Sequence, residues 1–221
     1  MKAVIEHLAQ TLLDAADVSA HPPIDLPALA EFLGISAVTY RPGLLEHGRL
    51  DQTSGKAVIT IRADLSSARQ RFTLAHELAH RALAGPHERF IAYRSREIDS
   101  NETEERFCDD LAAALLLPHP WVKQRFAHRS ENFSTLRHIA HLSGCSLDAS
   151  VVRLREVLNW NHSLLRFRQH NGTWLFEAGA GVPYDLHGHL RSAPDTAAAF
   201  TRRGEHRMEL PPDPGVRERG F

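Results

Sequence analysis

The segment HELAH begins at residue 76 and places two histidines four residues apart. On an α-helix, residues four apart lie on one face, so the imidazoles of His76 and His80 can reach one metal ion. Imidazole nitrogens bind Zn²⁺ at roughly 2.0–2.1 Å. Glu77 points away from this axis and can accept a proton from the water that attacks a carbonyl group. The pattern therefore predicts a zinc-binding catalytic helix with Glu77 as general base.

The alternative interpretation of this segment is a solvated helix face that carries two surface histidines. The flanking residues are apolar, however, which predicts that most of the helix is buried; they are Leu74, Ala75, Leu78, Ala79 and Leu83. Buried polar groups need partners, and one metal ion satisfies two imidazoles together. The apolar context therefore favours the zinc interpretation.

A catalytic zinc ion takes three protein ligands and keeps one position open, so a third ligand is required. No histidine just downstream completes an H-x-x-G-x-x-H pattern, and a carboxylate from a second helix is the other solution. The acidic run that begins at Asn101 supplies candidates. The periodicity of the apolar residues in this segment does not decide whether Glu104 or Glu105 faces the metal. The simpler explanation of this run is a favourable charge cluster at a helix N-terminus.

The spacing between Glu105 and Asp109 favours Glu105 as the third ligand. Asp109 follows one helical turn later, where its carboxylate could accept the N–H of a metal-bound imidazole and fix the tautomer of that ring. We therefore expect Glu105 to bind the metal and Asp109 to orient a histidine ligand.

The elements that must position these residues are predicted from apolar periodicity and from start and stop signals. A long helix is predicted over about residues 67–84, ended by Gly85-Pro86, and a second over about residues 102–117, ended by Pro118. The clearest strand covers residues 57–62. The other predicted elements are a helix over residues 2–16, a short helix capped by Asp25 and ended by Gly34, a strand over residues 36–40, a turn-rich segment over residues 42–55, a loop over residues 86–101, two or three short helices over residues 119–160, a hairpin over residues 163–179 around Asn171-Gly172, and a disordered tail, PPDPGVRERGF.

Composition excludes several classes of protein. Lys and Arg (26) nearly balance Asp and Glu (27), so the net charge of the chain does not favour binding to nucleic acid or to a membrane. Two cysteines in 221 residues make no disulfide framework, which indicates a reducing compartment. Polar residues interrupt the first helix, so it is not a signal peptide, and no apolar run could span a bilayer. We expect a cytoplasmic protein.

The stretches ARQRFTLAHELAHRAL and EERFCDDLAAALLLP together resemble the ImmA/IrrE family of zinc metallopeptidases. In that family a helical HExxH is followed by a helix of the pattern ExxAxxFAAxLLMP, which here starts at Glu105 and ends at Pro118. Cys108, Leu111 and Leu117 replace the usual Ala, Phe and Met, a change that affects packing rather than chemistry. The resemblance covers about residues 25–160.

The resemblance implies an α+β fold with a zincin-like, gluzincin-type peptidase domain built on an active-site helix and a small sheet. It implies one Zn²⁺ ion held by His76, His80 and Glu105, with Glu77 as general base. It also implies a protein substrate, namely a small DNA-binding repressor whose cleavage relieves repression.

Two further features of a zinc peptidase can be sought in the sequence. The strand over residues 57–62 precedes the catalytic helix, and such a strand offers its edge to an extended substrate. An oxyanion partner is also expected, for which His87, Tyr93 and His119 are the candidates.

Three domains are predicted: a peptidase-like domain over residues 1–120, a helix-turn-helix-like subdomain over residues 121–160, and a small β-containing C-terminal segment over residues 161–221. The subdomain over residues 121–160 has a residue pattern typical of a helix-turn-helix, with Gly144 at the turn and Ser146 capping the second helix. Its basic excess is small, which favours packing or protein docking over DNA binding. The competing function is a transcriptional regulator or antitoxin-like module with a structural zinc site.

Overall fold

A computed structural model describes residues 2–53, 56–85, 98–170 and 173–180, and of residue 53, residues 166–170 and residues 173–178 it describes the backbone alone. Three predicted features lie wholly or mostly outside these residues: the tail PPDPGVRERGF, the loop over residues 86–101, and the turn at Asn171-Gly172. The chain divides into two compact units, of which the larger comprises Met1–Leu164 and Gly179–Gly181. The three predicted domain boundaries stay a prediction.

Two helices begin the larger unit. Helix α1 (Lys2–Ala15) buries one apolar face, formed by Ile5, Leu8, Ala9, Leu12 and Leu13. Asp25 caps helix α2 (Leu26–Phe32) by accepting a hydrogen bond from the backbone N–H of Ala28 at 3.0 Å. Gly34 follows with a φ of 72°, a left-handed conformation that glycine adopts without steric cost. The cap and the stop are those that the sequence predicts.

A three-stranded sheet follows, in the order β1-β3-β2. Strand β1 (Ile35–Arg41) is parallel to β3 (Lys56–Arg62), and β2 (Gly48–Thr53) is antiparallel to it. The central position of β3 explains why it carries the most buried apolar side chains of the three, Ile59 and Ile61 among them.

The sheet corrects two predictions. Residues 42–55 are not merely turn-rich, because β2 lies within them. The prediction that residues 57–62 offer their edge to a substrate is wrong, because β3 is hydrogen-bonded to a strand on each side. Of the two edge strands of this sheet, β1 and β2, it is β2 that packs against α3.

Two long helices form the framework of the candidate site. Helix α3 (Ser67–Ala84) begins at Ser66, whose hydroxyl accepts a hydrogen bond from the N–H of Arg69. Helix α4 (Asn101–Leu116) begins with a capping box between Ser100 and Thr103. The two helices pack against each other, and α1 packs against α4, which buries the apolar faces of all three.

Three shorter helices complete the larger unit: α5 (His119–Phe126), α6 (Phe133–Ser143) and α7 (Leu147–Leu158). The turn between the last two has the predicted chemistry, since Gly144 has a φ of 68° and the Ser146 hydroxyl accepts from the N–H of Ala149. Arg153 on α7 is buried, with only 4% of its surface exposed.

The smaller unit contains most of a two-stranded hairpin, formed by β4 (Leu164–His170) and β5 (Thr173–Ala180). With seven helices, one small sheet and this hairpin among the described residues, the predicted α+β class is confirmed. Within the described part of the chain, no helix is long and apolar enough to cross a membrane.

Candidate metal centre

Helix α3 presents His76 and His80 on one face, as their spacing requires. Both side chains are partly exposed, at 17% and 20%, whereas Leu78 and Ala79 between them are buried in the core. The Nε2 atoms of the two rings lie 3.1 Å apart. The helix is thus anchored by its apolar face and turns both imidazoles toward one point at the surface.

Helix α4 brings Glu105 to the same point. Its Oε2 lies 3.2 Å from Nε2 of His76, and its Oε1 lies 3.4 Å from Nε2 of His80. One ligand atom from each of the three side chains falls within a common distance of 4.8 Å. These three residues form the candidate metal site of the described chain.

The Nδ1 atoms of the two rings are held by two other carboxylates of α4. Nδ1 of His76 lies 2.9 Å from Oδ1 of Asp109, the partner that the sequence predicts. Nδ1 of His80 lies 3.0 Å from Oε1 of Glu104, a role that was not predicted. Because a carboxylate accepts, each neutral ring donates through Nδ1–H and keeps its Nε2 lone pair for a metal ion.

The donor set fits zinc. Two imidazole nitrogens and one carboxylate oxygen are a combination that catalytic zinc sites use, with the fourth position left open. Ligand atoms at tetrahedral Zn²⁺ distances are about 3.3 Å from one another. The two Nε2 atoms lie 3.1 Å apart, close to that value, and each has one oxygen of Glu105 at a similar distance, Oε2 at 3.2 Å from His76 and Oε1 at 3.4 Å from His80.

Glu77 is buried, with 8% of its surface exposed, and it faces the same cleft. Strand β2 begins directly above it: a Cβ on Gly48 would lie 3.0 Å from Oε1 of Glu77 and would overlap Cγ2 of Thr73. Burial raises the pKa of Glu77, against the opposing influence of His76 and His80. In His76, burial lowers the pKa, but the hydrogen bond and charge of Asp109, together with the charges of Glu77 and Glu105, raise the pKa overall.

The three candidate ligands open onto a cavity of about 630 Å³ between β2, α3 and α4. Its wall includes residues that the sequence did not single out, namely His47, Gly48, Arg49, Leu50, Gln52, Arg69, Phe72 and Thr73. Nη2 of Arg69 lies 2.8 Å from Nδ1 of His47. The residues around β2 carry no signal in the sequence, because they reach the site through the pairing of β2 with β3 and the packing of the sheet on α3. Arg69, Phe72 and Thr73 lie one and two turns before His76 and Glu77 on the same face of α3, and that helical spacing could have identified them.

The structure places the remaining predicted residues as follows. His87 and Tyr93 lie outside the described residues. His119 begins α5 and is not among the described residues that line the cavity. Cys108 is fully buried on α4, and burial raises the pKa of its thiol, as expected of an apolar packing residue.

Comparison with known proteins identifies relatives of this chain. Residues 30–155 match the peptidase M78 family, described as the IrrE N-terminal-like domain. The radiation response metalloprotease IrrE of Deinococcus radiodurans is 28% identical over 148 residues, which cover 65% of this chain and 44% of that protein. A Mycobacterium tuberculosis transcriptional regulator has a similar fold, with a TM-score of 0.51 and 16% identity, over 80% of this chain and 54% of that one. The chain thus spans about half the length of these relatives.

Proposed function

The chain belongs to the M78 peptidase family of ImmA/IrrE-like proteins, and from this premise we propose that it is a zinc-dependent endopeptidase with a gluzincin-type site. The observation that carries the proposal is the convergence of His76, His80 and Glu105 within 4.8 Å, at the mouth of a cavity that Glu77 also lines. Two helices that pack through apolar faces hold these four side chains in place.

In the proposed reaction His76, His80 and Glu105 hold one zinc ion. When bound, zinc would polarise the scissile carbonyl and lower the pKa of the attacking water. Glu77 accepts the proton of that water and passes it to the leaving amine. Asp109 and Glu104 keep the two imidazoles in the tautomer and orientation that metal binding requires.

Strand β2 is the proposed binding edge for the substrate backbone. It pairs with β3 on one side only, and Gly48, Arg49, Leu50 and Gln52 all line the cavity. An extended peptide can add to such an edge through backbone hydrogen bonds, which do not depend on its side chains. Gly48 lets the start of this strand approach Glu77 closely enough for a bound peptide bond to reach the carboxylate.

The proposed substrate is a small DNA-binding repressor. The family resemblance supports this choice, and the name of the relative from Deinococcus radiodurans refers to a response to radiation. The similarity to the Mycobacterium tuberculosis transcriptional regulator concerns the fold alone.

The rival function, a DNA-binding regulator with a structural zinc site, is disfavoured by the second helix of the helix-turn-helix-like pair. Helix α7 has two arginines, and both are engaged within the protein. Arg153 is buried and binds the Glu6 carboxylate, while Arg155 donates to the backbone oxygen of His162. Phosphate contacts need cations that face solvent, so α7 is poorly equipped to bind DNA.

Two experiments test the proposal. A pull-down with zinc-loaded Glu77→Gln as a trap should retain the substrate, which wild type should then cleave at a defined bond when the products are analysed by mass spectrometry. Glu77→Gln should bind zinc but cleave at least about 100-fold more slowly. Equal rates in the two proteins would remove Glu77 from the mechanism.

Salt-sensitive binding to operator DNA without cleavage would favour the regulator.

A further inference from the structure

His47 is held at the mouth of the cavity by its backbone. Its carbonyl oxygen accepts a hydrogen bond from the N–H of Arg62 at 2.9 Å, which extends the pairing of β2 with β3 by one residue. The next residue, Gly48, approaches the carboxylate of Glu77 so closely that a Cβ would lie 3.0 Å from it. His47 therefore flanks the residues expected to perform the chemistry, and it lines the same cavity.

Arg69 fixes the tautomer of the His47 ring. Its Nη2 lies 2.8 Å from Nδ1 of His47. A guanidinium group donates hydrogen bonds and cannot accept them, so Nδ1 of His47 must be the acceptor. A neutral imidazole carries a single proton, which must then lie on Nε2. The ring consequently offers one N–H donor on the side opposite Arg69.

The same arrangement disfavours protonation of the ring and strengthens its donor. Desolvation, followed by the charges of Arg69 and Arg62, lowers the pKa of His47. A cation bound to one ring nitrogen also polarises the N–H on the other. The guanidinium of Arg69 lies 5.6 Å from the centroid of the Phe72 ring, a cation–π contact that holds it against the cavity wall.

We propose that His47 is a catalytic residue, whose Nε2–H donates a hydrogen bond to the oxygen of the scissile carbonyl as negative charge develops there, and that Arg69 is its positioning residue. This inference rests on the proposed peptidase function. Such a donor acts best when it is fixed before the reaction, and both the backbone and the tautomer of His47 are fixed. This is the role for which the sequence offered His87, Tyr93 and His119 as candidates.

Binding of two zinc-directed probes to the zinc-loaded full chain tests the role of His47. A peptide phosphonamidate carries tetrahedral, anionic oxygens in the place of the reacting carbonyl, whereas a mercaptoacyl peptide with the same side chains binds zinc through sulfur and has no such oxygen. His47→Leu should weaken phosphonamidate binding by about 10- to 100-fold, the usual effect of losing a hydrogen bond to a charged group. The same variant should change the affinity for the mercaptoacyl peptide by less than about threefold.

His47→Gln is the conservative variant, since its amide can accept from Arg69 and donate toward the cavity, and it should recover most of the lost phosphonamidate affinity. His21→Leu, at an exposed histidine outside the cavity, is the matched control and should bind both probes as wild type does. Equal weakening of both probes by His47→Leu, or of neither, would overturn the proposal. Because binding requires no turnover, this comparison tests the hydrogen bond from His47 separately from the peptidase activity.

The tautomer provides a second measurement that does not depend on a substrate. The ¹⁵N shifts of the His47 ring should show a protonated Nε2 and an unprotonated Nδ1 in the wild type. Arg69→Met should convert this ring to a mixture of tautomers. It should also weaken binding of the phosphonamidate more than binding of the mercaptoacyl peptide. A wild-type ring protonated on Nδ1, or an unchanged tautomer in Arg69→Met, would refute the positioning role. Preferential loss of peptides with an acidic side chain in Arg69→Met would instead assign Arg69 to side-chain recognition.

Discussion

Oε1 of Glu104 lies 3.0 Å from Nδ1 of His80, which makes Glu104 the counterpart of Asp109 on the other imidazole. The adjacent residue, Glu105, faces the Nε2 atoms of both rings. In the proposed site, one turn of α4 would therefore supply both a metal-binding carboxylate and a carboxylate that orients a ligand, and Asp109 would orient the second ligand from the next turn.

Removal of the Glu104 carboxylate should weaken metal binding without abolishing it. Partners of this kind typically change metal affinity by about 10- to 100-fold. We therefore expect that loss in Glu104→Ala, measured by competition with a chromophoric chelator, and no change in Glu102→Ala, an exposed acid of the same helix turn. A loss as complete as that of Glu105→Ala would identify Glu104 as a ligand instead.

A side chain at Gly48 should disturb the contact between β2 and α3. The added Cβ of Gly48→Ala would overlap Cγ2 of Thr73, so the free energy of unfolding should fall by about 1–3 kcal/mol, the usual effect of overpacking. Thr73→Ser removes that methyl group, and the double variant should recover part of the loss. Denaturation of all four proteins in a double-mutant cycle measures this coupling. An equal effect of Gly48→Ala in both backgrounds would show that the strain lies elsewhere.

The long helices and the core of the candidate site could be predicted because their signals are local. The apolar faces of α3 and α4 follow the helical period, and Ser66 and Ser100 mark their starts. The convergence of His76 with His80, and the spacing of Glu105 from Asp109, are properties of single helices. Only the meeting of the two helices required an added assumption, which the family resemblance supplied.

Strand β2 could not be predicted, because its sequence GRLDQT has one large apolar residue and no alternation. Its extended state comes from pairing with β3, a contact between segments rather than a local preference. The choice of β3 as the free edge failed for the same reason, since the order of strands depends on these pairings. The contacts of Glu104 with His80 and of His47 with Arg69 likewise join residues 24 and 22 positions apart.

The buried Arg153 should contribute strongly to stability. Its guanidinium donates to both oxygens of Glu6, at 2.5 and 2.8 Å, and to the carbonyl oxygen of Leu117, which caps the end of α4, at 2.7 Å. Arg153→Met would leave the carboxylate and the carbonyl without this partner. We expect a loss of about 3–5 kcal/mol in the free energy of unfolding.

The matched control for Arg153 is Arg106→Met, because Arg106 forms an exposed ion pair with Glu102 and should cost less than about 1 kcal/mol. Urea denaturation of the two variants at neutral pH measures the difference. Losses of similar size would mean that the arginine of α7 is not a structural anchor, and the argument against DNA binding by that helix would weaken accordingly.

The partly buried Asp110 should make stability depend on pH. Burial, followed by the charge of Glu156, raises its pKa above the ordinary value of 3.8. The folded state therefore binds this proton more tightly than the unfolded state, and the resulting stability is present below pH 3.8 and lost as the pH rises through the folded pKa. At pH 7 the carboxylate opposes folding, so Asp110→Asn should raise Tm at that pH. The gain in Tm should become progressively smaller as the pH falls. Asp64→Asn, at an exposed carboxylate, is the control and should change Tm little at either pH. A gain in Asp110→Asn that is constant with pH would exclude the titration of this group as its cause.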